Sequence, residues 1–264
     1  MSIELIQYIL SLISGLLVGF SLGLIGGGGS ILAIPLLLYF VGYDHPHIAI
    51  GTTALAVGIN AYLNLIPHAL HHNVVVRKGI YFTIPGIVGV LIGTELGLLT
   101  PGKSLLFFFA ILMIGIASLM VYRIRKKPQK GHTQMDSKEK DMNLFAILTT
   151  GLGVGFASGY FGIGGGFLIV PGLLFATDLP IIQAIGTSLM SVGTFGIVTA
   201  IRYGIAGKLN ILFSVLFVLG GVGGGWIGTR ISSKLPRTTL TYVFAAIIVL
   251  VALYMMVVNY SYVF

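Results

Sequence analysis

The sequence contains no cysteine, one tryptophan and only seven acidic residues in 264. The missing thiols exclude disulfide staples, thiolate metal centres and the thiol-relay chemistry of some small membrane proteins. Charge is scarce as well: Asp, Glu, Lys and Arg make up 8% of the chain, against about a quarter in soluble domains. A soluble fold of this size is not compatible with that figure. What is present instead is hydrocarbon, with 56% hydrophobic residues and a mean hydropathy of +1.02. Apolar runs long enough for a bilayer-spanning helix, about 20 residues, recur along the chain between short polar breaks.

The net charge of +8 does not point to nucleic acid, because seven of the fifteen basic residues lie in one stretch, 123–140, which also holds Asp136 and Glu139. A mixed charged linker between hydrophobic halves is better explained by orientation, since Lys and Arg accumulate in short cytoplasmic loops. The first twenty-five residues are hydrophobic like a signal peptide, yet open with Met1, Ser2, Ile3 and Glu4 and lack a basic n-region; the segment is expected to be retained.

The chain repeats itself. At an offset of 136, residues 15–39 align with 151–175, and thirteen of the twenty-five pairs are identical. After a one-residue gap the match continues at 135: Ala49-Ile50-Gly51-Thr52 with Ala184-Ile185-Gly186-Thr187, Gly93-Thr94 with Gly228-Thr229, and Pro101 with Pro236. Matched units of this length are a duplicated architecture. The division is 1–122 for the first transmembrane repeat, 123–143 for the linker and 144–264 for the second repeat. Each half holds five apolar segments, at 5–25, 31–41, 48–70, 79–99 and 104–122, then 144–161, 167–177, 182–201, 211–229 and 239–258. The second of each set is short: a helix of about 11 residues covers about 17 Å of a core about 30 Å thick.

If that short segment returns the chain to the side it came from, each half crosses with odd parity and the halves are inverted. Loops 71–78, 123–141 and 230–237 then carry twelve Lys/Arg on the cytoplasmic side, leaving Lys103, Arg202 and Lys208 outside. A parallel arrangement gives eleven against four, so charge favours inversion slightly. Inverted repeats with interrupted helices are also a recurring transporter plan. The expected fold class is therefore an all-α polytopic membrane protein of two inverted-topology repeats, with Gly-interrupted short helices and about 8–10 membrane segments.

The interruptions are Gly26-Gly27-Gly28-Gly29-Ser30 and Gly162-Ile163-Gly164-Gly165-Gly166. Irregular backbone at membrane depth is tolerated where it is buried in protein or lines a cavity, and free N–H groups at the start of the next helix suit an anion. Gly26, Gly27, Gly28, Gly29, Ser30, Gly162, Gly164, Gly165 and Gly166 are thus read as substrate-binding. The evenly spaced Gly15, Gly19 and Gly23, with Gly151, Gly155 and Gly159, are read as helix packing. No lysine follows either cluster in Walker-A spacing, which argues against a nucleotide site.

Polar residues fall on one face of the third segment of each half. Thr53, Asn60, Asn64, Pro67 and His71 share a narrow arc, and Ser188, Ser191, Thr199 and Arg202 answer them in the second half. Each alone could simply bond between helices. Taken together, with the hydroxyls of Thr52 and Thr187, they are read as a substrate path of hydroxyl and amide donors and one guanidinium suited to a small oxyanion. Glu95, an acid inside an apolar segment, and His68 are candidates for proton coupling. No cofactor and no metal site is expected: three histidines near residue 70 without a carboxylate do not make one.

The pairing of GLLVGFSLGLIGGGGSILAIPLLL and AIGTTAL with GLGVGFASGYFGIGGGFLIVPGLL and AIGTSLM resembles the TauE/SafE family over nearly the whole chain. The resemblance implies a multi-pass protein of the plasma (inner) membrane, without ATPase domain or enzymatic activity, that moves sulfite, sulfoacetate or related sulfur-containing anions outward. Its partners would be that anion and membrane lipid, with a homo-oligomer compatible and nucleic acid not involved. A passive anion channel would need similar residues and is the alternative. Ile163 stands where the first cluster has Gly27, and Gly166 where it has Ser30, so the clusters are not equivalent.

Overall fold

The structure, a computed structural model, describes residues 3–25, 27–126, 143–164, 166–232 and 237–260. All regular structure in them is helical. The first half comprises α1 (Ile3–Ile25), a short irregular segment α2, α3 (Pro46–Leu70), α4 (Val76–Leu99) and α5 (Gly102–Lys126). The second comprises α6 (Leu144–Phe161), α7 (Gly166–Ala176), α8 (Ile181–Ile205), α9 (Ile211–Ser232) and α10 (Arg237–Asn259). Eight of these helices are long and apolar enough to cross a membrane; α2 and α7 are the short ones. The protein is a multi-pass α-helical membrane protein. Residues 127–142 of the 123–143 linker, with Gly26 and Gly165 of the glycine clusters, lie outside the described residues.

Local chemistry accounts for the boundaries. Pro46 opens α3, where its fixed φ suits the first turn and its missing N–H costs nothing. Asn143 caps α6, its side-chain oxygen accepting from the Ala146 N–H at 3.1 Å. Gly162 ends α6 in the left-handed region at φ +67°, where a side chain would be strained. The two short segments differ. α7 is a regular eleven-residue helix, whereas α2 winds as a 3-10 helix over Gly27–Leu32, a single α turn over Ala33–Pro35 and a π turn over Leu36–Phe40. Four consecutive glycines supply little helix preference, and the segment changes pitch around Pro35.

The halves interlock. α1 packs most extensively on α9, and α4 on α6, each helix choosing a partner from the other half. In both pairs the contacts advance together along the two chains: Gly15 meets Phe217 and Gly19 meets Gly221, while Gly151 meets Phe82 and Gly155 meets Gly86. Both pairs are therefore parallel. A methyl group on Gly19 would run into the Gly221 carbonyl, and one on Gly155 into the Gly86 carbonyl, so backbone lies on backbone as small-residue seams in membranes allow. The packing reading of Gly15, Gly19, Gly151, Gly155 and Gly159 holds.

The repeat-equivalent helices α3 and α8 run antiparallel: Thr52 lies beside Asn210, Gly58 beside Gly196, and Gly186 beside Asn73. α5 and α10 also oppose each other, with Phe107 near the start of one against Tyr260 at the end of the other. α7 rests on Gly27–Leu32 and α8 touches both, while α3 lies against Ala33–Phe40 and, through Ile50 and Val57, against Gly162 and Gly164. Exchanging the two halves carries the principal pairings onto one another, α1 with α9 onto α6 with α4, and α3 with α8 and α5 with α10 onto themselves.

Candidate functional site

The second glycine turn sits between the crossed helices. A methyl on Gly162 would collide with Ile50 of α3, and Gly164, at φ +65°, faces Val57 of α3 and Val192 of α8. Val57 and Val192 are repeat equivalents, so Gly164 lies between matching positions of the two halves. The turn is stitched to its own helix: the Gly162 N–H donates to the Gly159 carbonyl and the Ile163 N–H to the Ser158 carbonyl, each at 3.2 Å. These two amides are not free to hold an anion. In the first cluster, Gly27, Gly28, Gly29 and Ser30 lie inside the 3-10 helix, with Ser30 fully buried.

The GT steps do something that spacing did not suggest. Thr52 Oγ1 accepts from the Asn210 N–H at 3.0 Å, and Thr187 Oγ1 accepts from the Val75 N–H at 2.9 Å. Val75 and Asn210 are themselves repeat equivalents, each just ahead of the fourth helix of its half. Each threonine thus pins the loop entering the opposite half's glycine-seamed pair. Ser214 adds to the first clamp by donating to the Thr52 carbonyl at 3.0 Å.

The next residue in each half turns inward on its own helix. Thr53 donates to the Ala49 carbonyl at 2.7 Å and Ser188 to the Ile185 carbonyl at 2.7 Å; each hydroxyl has one proton, and here it is used. Ser191 shares a 2.7 Å hydrogen bond with Thr83 of α4. Asn64 donates to the Asn60 carbonyl at 2.8 Å. Asn60 is buried against Gly221, its side-chain oxygen without a partner. Thr199 is fully buried and its hydroxyl is unpartnered.

Arg202 and Glu95, expected separately as a substrate contact and a proton carrier, form an ion pair between α8 and α4. Their side chains are 36% and 50% exposed, so the pair lies at the protein's periphery, away from the glycine turn. His68 sits at the other end of the molecule, near Asn73 and Gly186, with its Nδ1 unpartnered. Glu95 and His68 are therefore not brought together.

Four buried hydroxyls escaped the sequence reading. Ser14, Thr94, Ser158 and Tyr203 are fully inaccessible and unpartnered. Thr94 had a visible signal, since Gly93-Thr94 recurs as Gly228-Thr229. A cavity of about 550 Å³ lies elsewhere, between α1, α2 and α10, lined by Leu17, Phe20, Leu36, Val251 and Tyr254 among others. Its walls are nearly all apolar, which suits hydrocarbon rather than an anion.

Parallel seams, an antiparallel central pair and a glycine turn held between its two helices define a duplicated multi-spanning membrane protein with a buried polar centre. The family model for the sulfite exporter TauE/SafE matches residues 11–255, and the chain belongs to that family. A probable membrane transporter protein of Xylella fastidiosa is 47% identical over 247 residues, covering 91% of this chain and 92% of its own length. One from Haemophilus influenzae is 30% identical over 266 residues, covering 94% and 97%. YunE of Bacillus subtilis, also described as a probable membrane transporter protein, is 26% identical over 261 residues, covering 93% and 96%. No solved structure matches the chain.

Proposed function

We propose that this protein is a secondary transporter of the inner membrane that carries small sulfur-containing anions, such as sulfite, sulfoacetate or related organosulfonates, outward by alternating access. The observation that carries this reading is the meeting of the two short segments, α7 on Gly27–Leu32, with the glycine turn ahead of α7 held between α3 and α8. Broken helices at a repeat interface form solute sites near the bilayer midplane. The sulfur class comes from the family description, and the likeness to probable membrane transporters supports transport alone.

Inverted halves are part of the proposal. If α3 and α8 both cross, their antiparallel contact gives equivalent helices opposite orientations. α1, α3 and α9 then share a direction, and α2 must return the chain between α1 and α3. That order puts loops 71–75 and 206–210 on opposite faces, with 71–75 and the charged linker on the cytoplasmic one, in keeping with the basic residues. The interlocking of α1 with α9 and of α4 with α6 argues that these pairs move as bodies against α3 and α8, rather than one sequence half against the other.

The test is transport by purified protein in liposomes loaded with sulfite, sulfate or sulfoacetate. Saturable efflux that an imposed proton or anion gradient drives uphill is expected. Flux that never runs uphill would make the protein a channel, and no flux of any of these anions would refute the function.

A further inference from the structure

The usual fate of a buried helix hydroxyl here is to bond a carbonyl one turn back, as Ser11, Ser21, Thr53 and Ser214 do. Ser14, Thr94, Ser158 and Thr199 do not, although all four are fully buried, and the buried Tyr203 hydroxyl is also unpartnered. A hydroxyl held away from water without a partner is costly, and such groups usually have a ligand or water to answer them.

Thr94, Ser158 and Thr199 lie around one place, the second glycine turn. Ser158 lies one turn before Gly162, and its carbonyl receives the Ile163 N–H of the glycine turn. Thr94 Oγ1 lies within 2.9 Å of where a side chain on Gly159 would begin, which sets it beside the same turn of α6. Thr199 follows Val192 by seven residues, two helical turns, on the same face of α8. Val192 touches Gly164, and Ile50, at the level of the lower end of α8, touches Gly162, so Thr199 faces the turn between them. The α4–α8 register, from Thr83–Ser191 to Arg202–Glu95, brings Thr94 and Thr199 to the same height.

We infer that Thr94, Ser158 and Thr199 form an oxyanion-binding site at the Gly162–Gly164 turn, and that the equivalent turn of the first half is not one. This rests on the anion-transport reading above and names the donors within it. Side-chain O–H groups replace the amides of Gly162 and Ile163, which are already engaged. At the first-half tip the equivalents of Ser158 and Thr199 are Leu22, which is apolar, and Asn64, whose amide donates one of its N–H groups to the Asn60 carbonyl. One turn earlier the Asn60 side-chain oxygen is an acceptor without a partner, which would repel an anion. A tetrahedral or pyramidal oxyanion offers three oxygens to three hydroxyl donors, with its charge dispersed over hydrogen bonds and no buried cation required.

The test uses the full-length protein in nanodiscs, with sodium sulfite, sulfate and sulfoacetate as probes, read by calorimetric binding and by thermal unfolding with and without anion. Thr94→Val, Ser158→Ala and Thr199→Val keep shape and remove only the hydroxyl. Each should weaken binding of the preferred anion about tenfold, the usual scale for a lost hydrogen bond to a charge, and the triple variant should not bind. Without anion, the variants should melt at or above the wild-type temperature, because an unanswered polar group has been removed. Asn64→Leu should bind within about twofold of wild type. Equal affinity of wild type and triple variant overturns the inference, and so does an anion-free melting temperature that falls, which would make the hydroxyls structural. A wild type that neither binds nor moves any of the three anions fails the transport reading itself, a separate result.

Discussion

Replacing Thr52 with Val tests whether the GT step is a clamp. The side chain is fully buried, and its oxygen answers the Asn210 N–H at 3.0 Å. Valine fills the same space, so no cavity forms, but one backbone N–H loses its acceptor. Stranding a buried donor costs about 1–3 kcal/mol, taken as about 2 kcal/mol for this part-buried N–H, and for a chain of this size each kcal/mol moves the melting temperature by about 2–4 °C. A loss of about 4–8 °C is expected, and Thr187→Val should match it through Val75. The sites are far apart, so the double variant should show roughly the sum. Thr53→Val is the control: its hydroxyl only donates back to carbonyls of its own helix, and its removal should shift melting by no more than a degree or two. Melting of purified protein in detergent, followed by intrinsic fluorescence or circular dichroism, reads all four. If Thr52→Val melts like wild type while Thr53→Val does not, the hydroxyl assignments are wrong.

Gly155→Leu and Gly19→Leu would force side chains into opposing carbonyls, and overpacking of this kind costs about 1–3 kcal/mol or more; membrane accumulation should fall sharply, measured against Gly153→Leu, where a Cβ meets open space. Glu95→Gln should cost less than about 1 kcal/mol, since the pair is largely exposed; unchanged proton-driven efflux would remove Glu95 from coupling. Because the chain has no cysteine, Asn73→Cys and Lys208→Cys give unambiguous labels: impermeant maleimide on intact cells should modify the second and not the first, and labelling of both from one side would refute inverted halves. Gly164→Val adds a branched side chain at φ +65° against Val57; loss of transport with retained membrane insertion is the expected result.

The duplication, the short interrupted segments and the polar centre were legible because each leaves a local signature: identity at a fixed offset, four glycines in a row, threonines one face apart. Partner choice was not. Nothing in residues 3–25 says that α1 lies on α9, since a glycine seam fits any other glycine seam and the pairing is decided by the whole bundle. The roles of neighbouring hydroxyls were hidden for a similar reason. Thr52 and Thr53 read alike in sequence, yet one answers a loop from the other half and the other folds back on its helix. Arg202 and Glu95 were each singled out as rare charges, and their pairing needed the register of α4 against α8. Thr94 was in view within the repeat and passed over beside the charged Glu95. Ser158 had only a buried α6 position to mark it.

The exchange of first helices between halves also bears on how such a chain comes into being. α1 leaves the ribosome some two hundred residues before its partner α9, so its glycine face waits in the membrane until synthesis is nearly over. Neither half owns the seam it needs. The contacts are those of two five-segment chains that have traded their opening helices, joined afterwards by a charged tether. Cut at that tether and produced as separate polypeptides, the halves should accumulate only when made together, each acting as the other's scaffold.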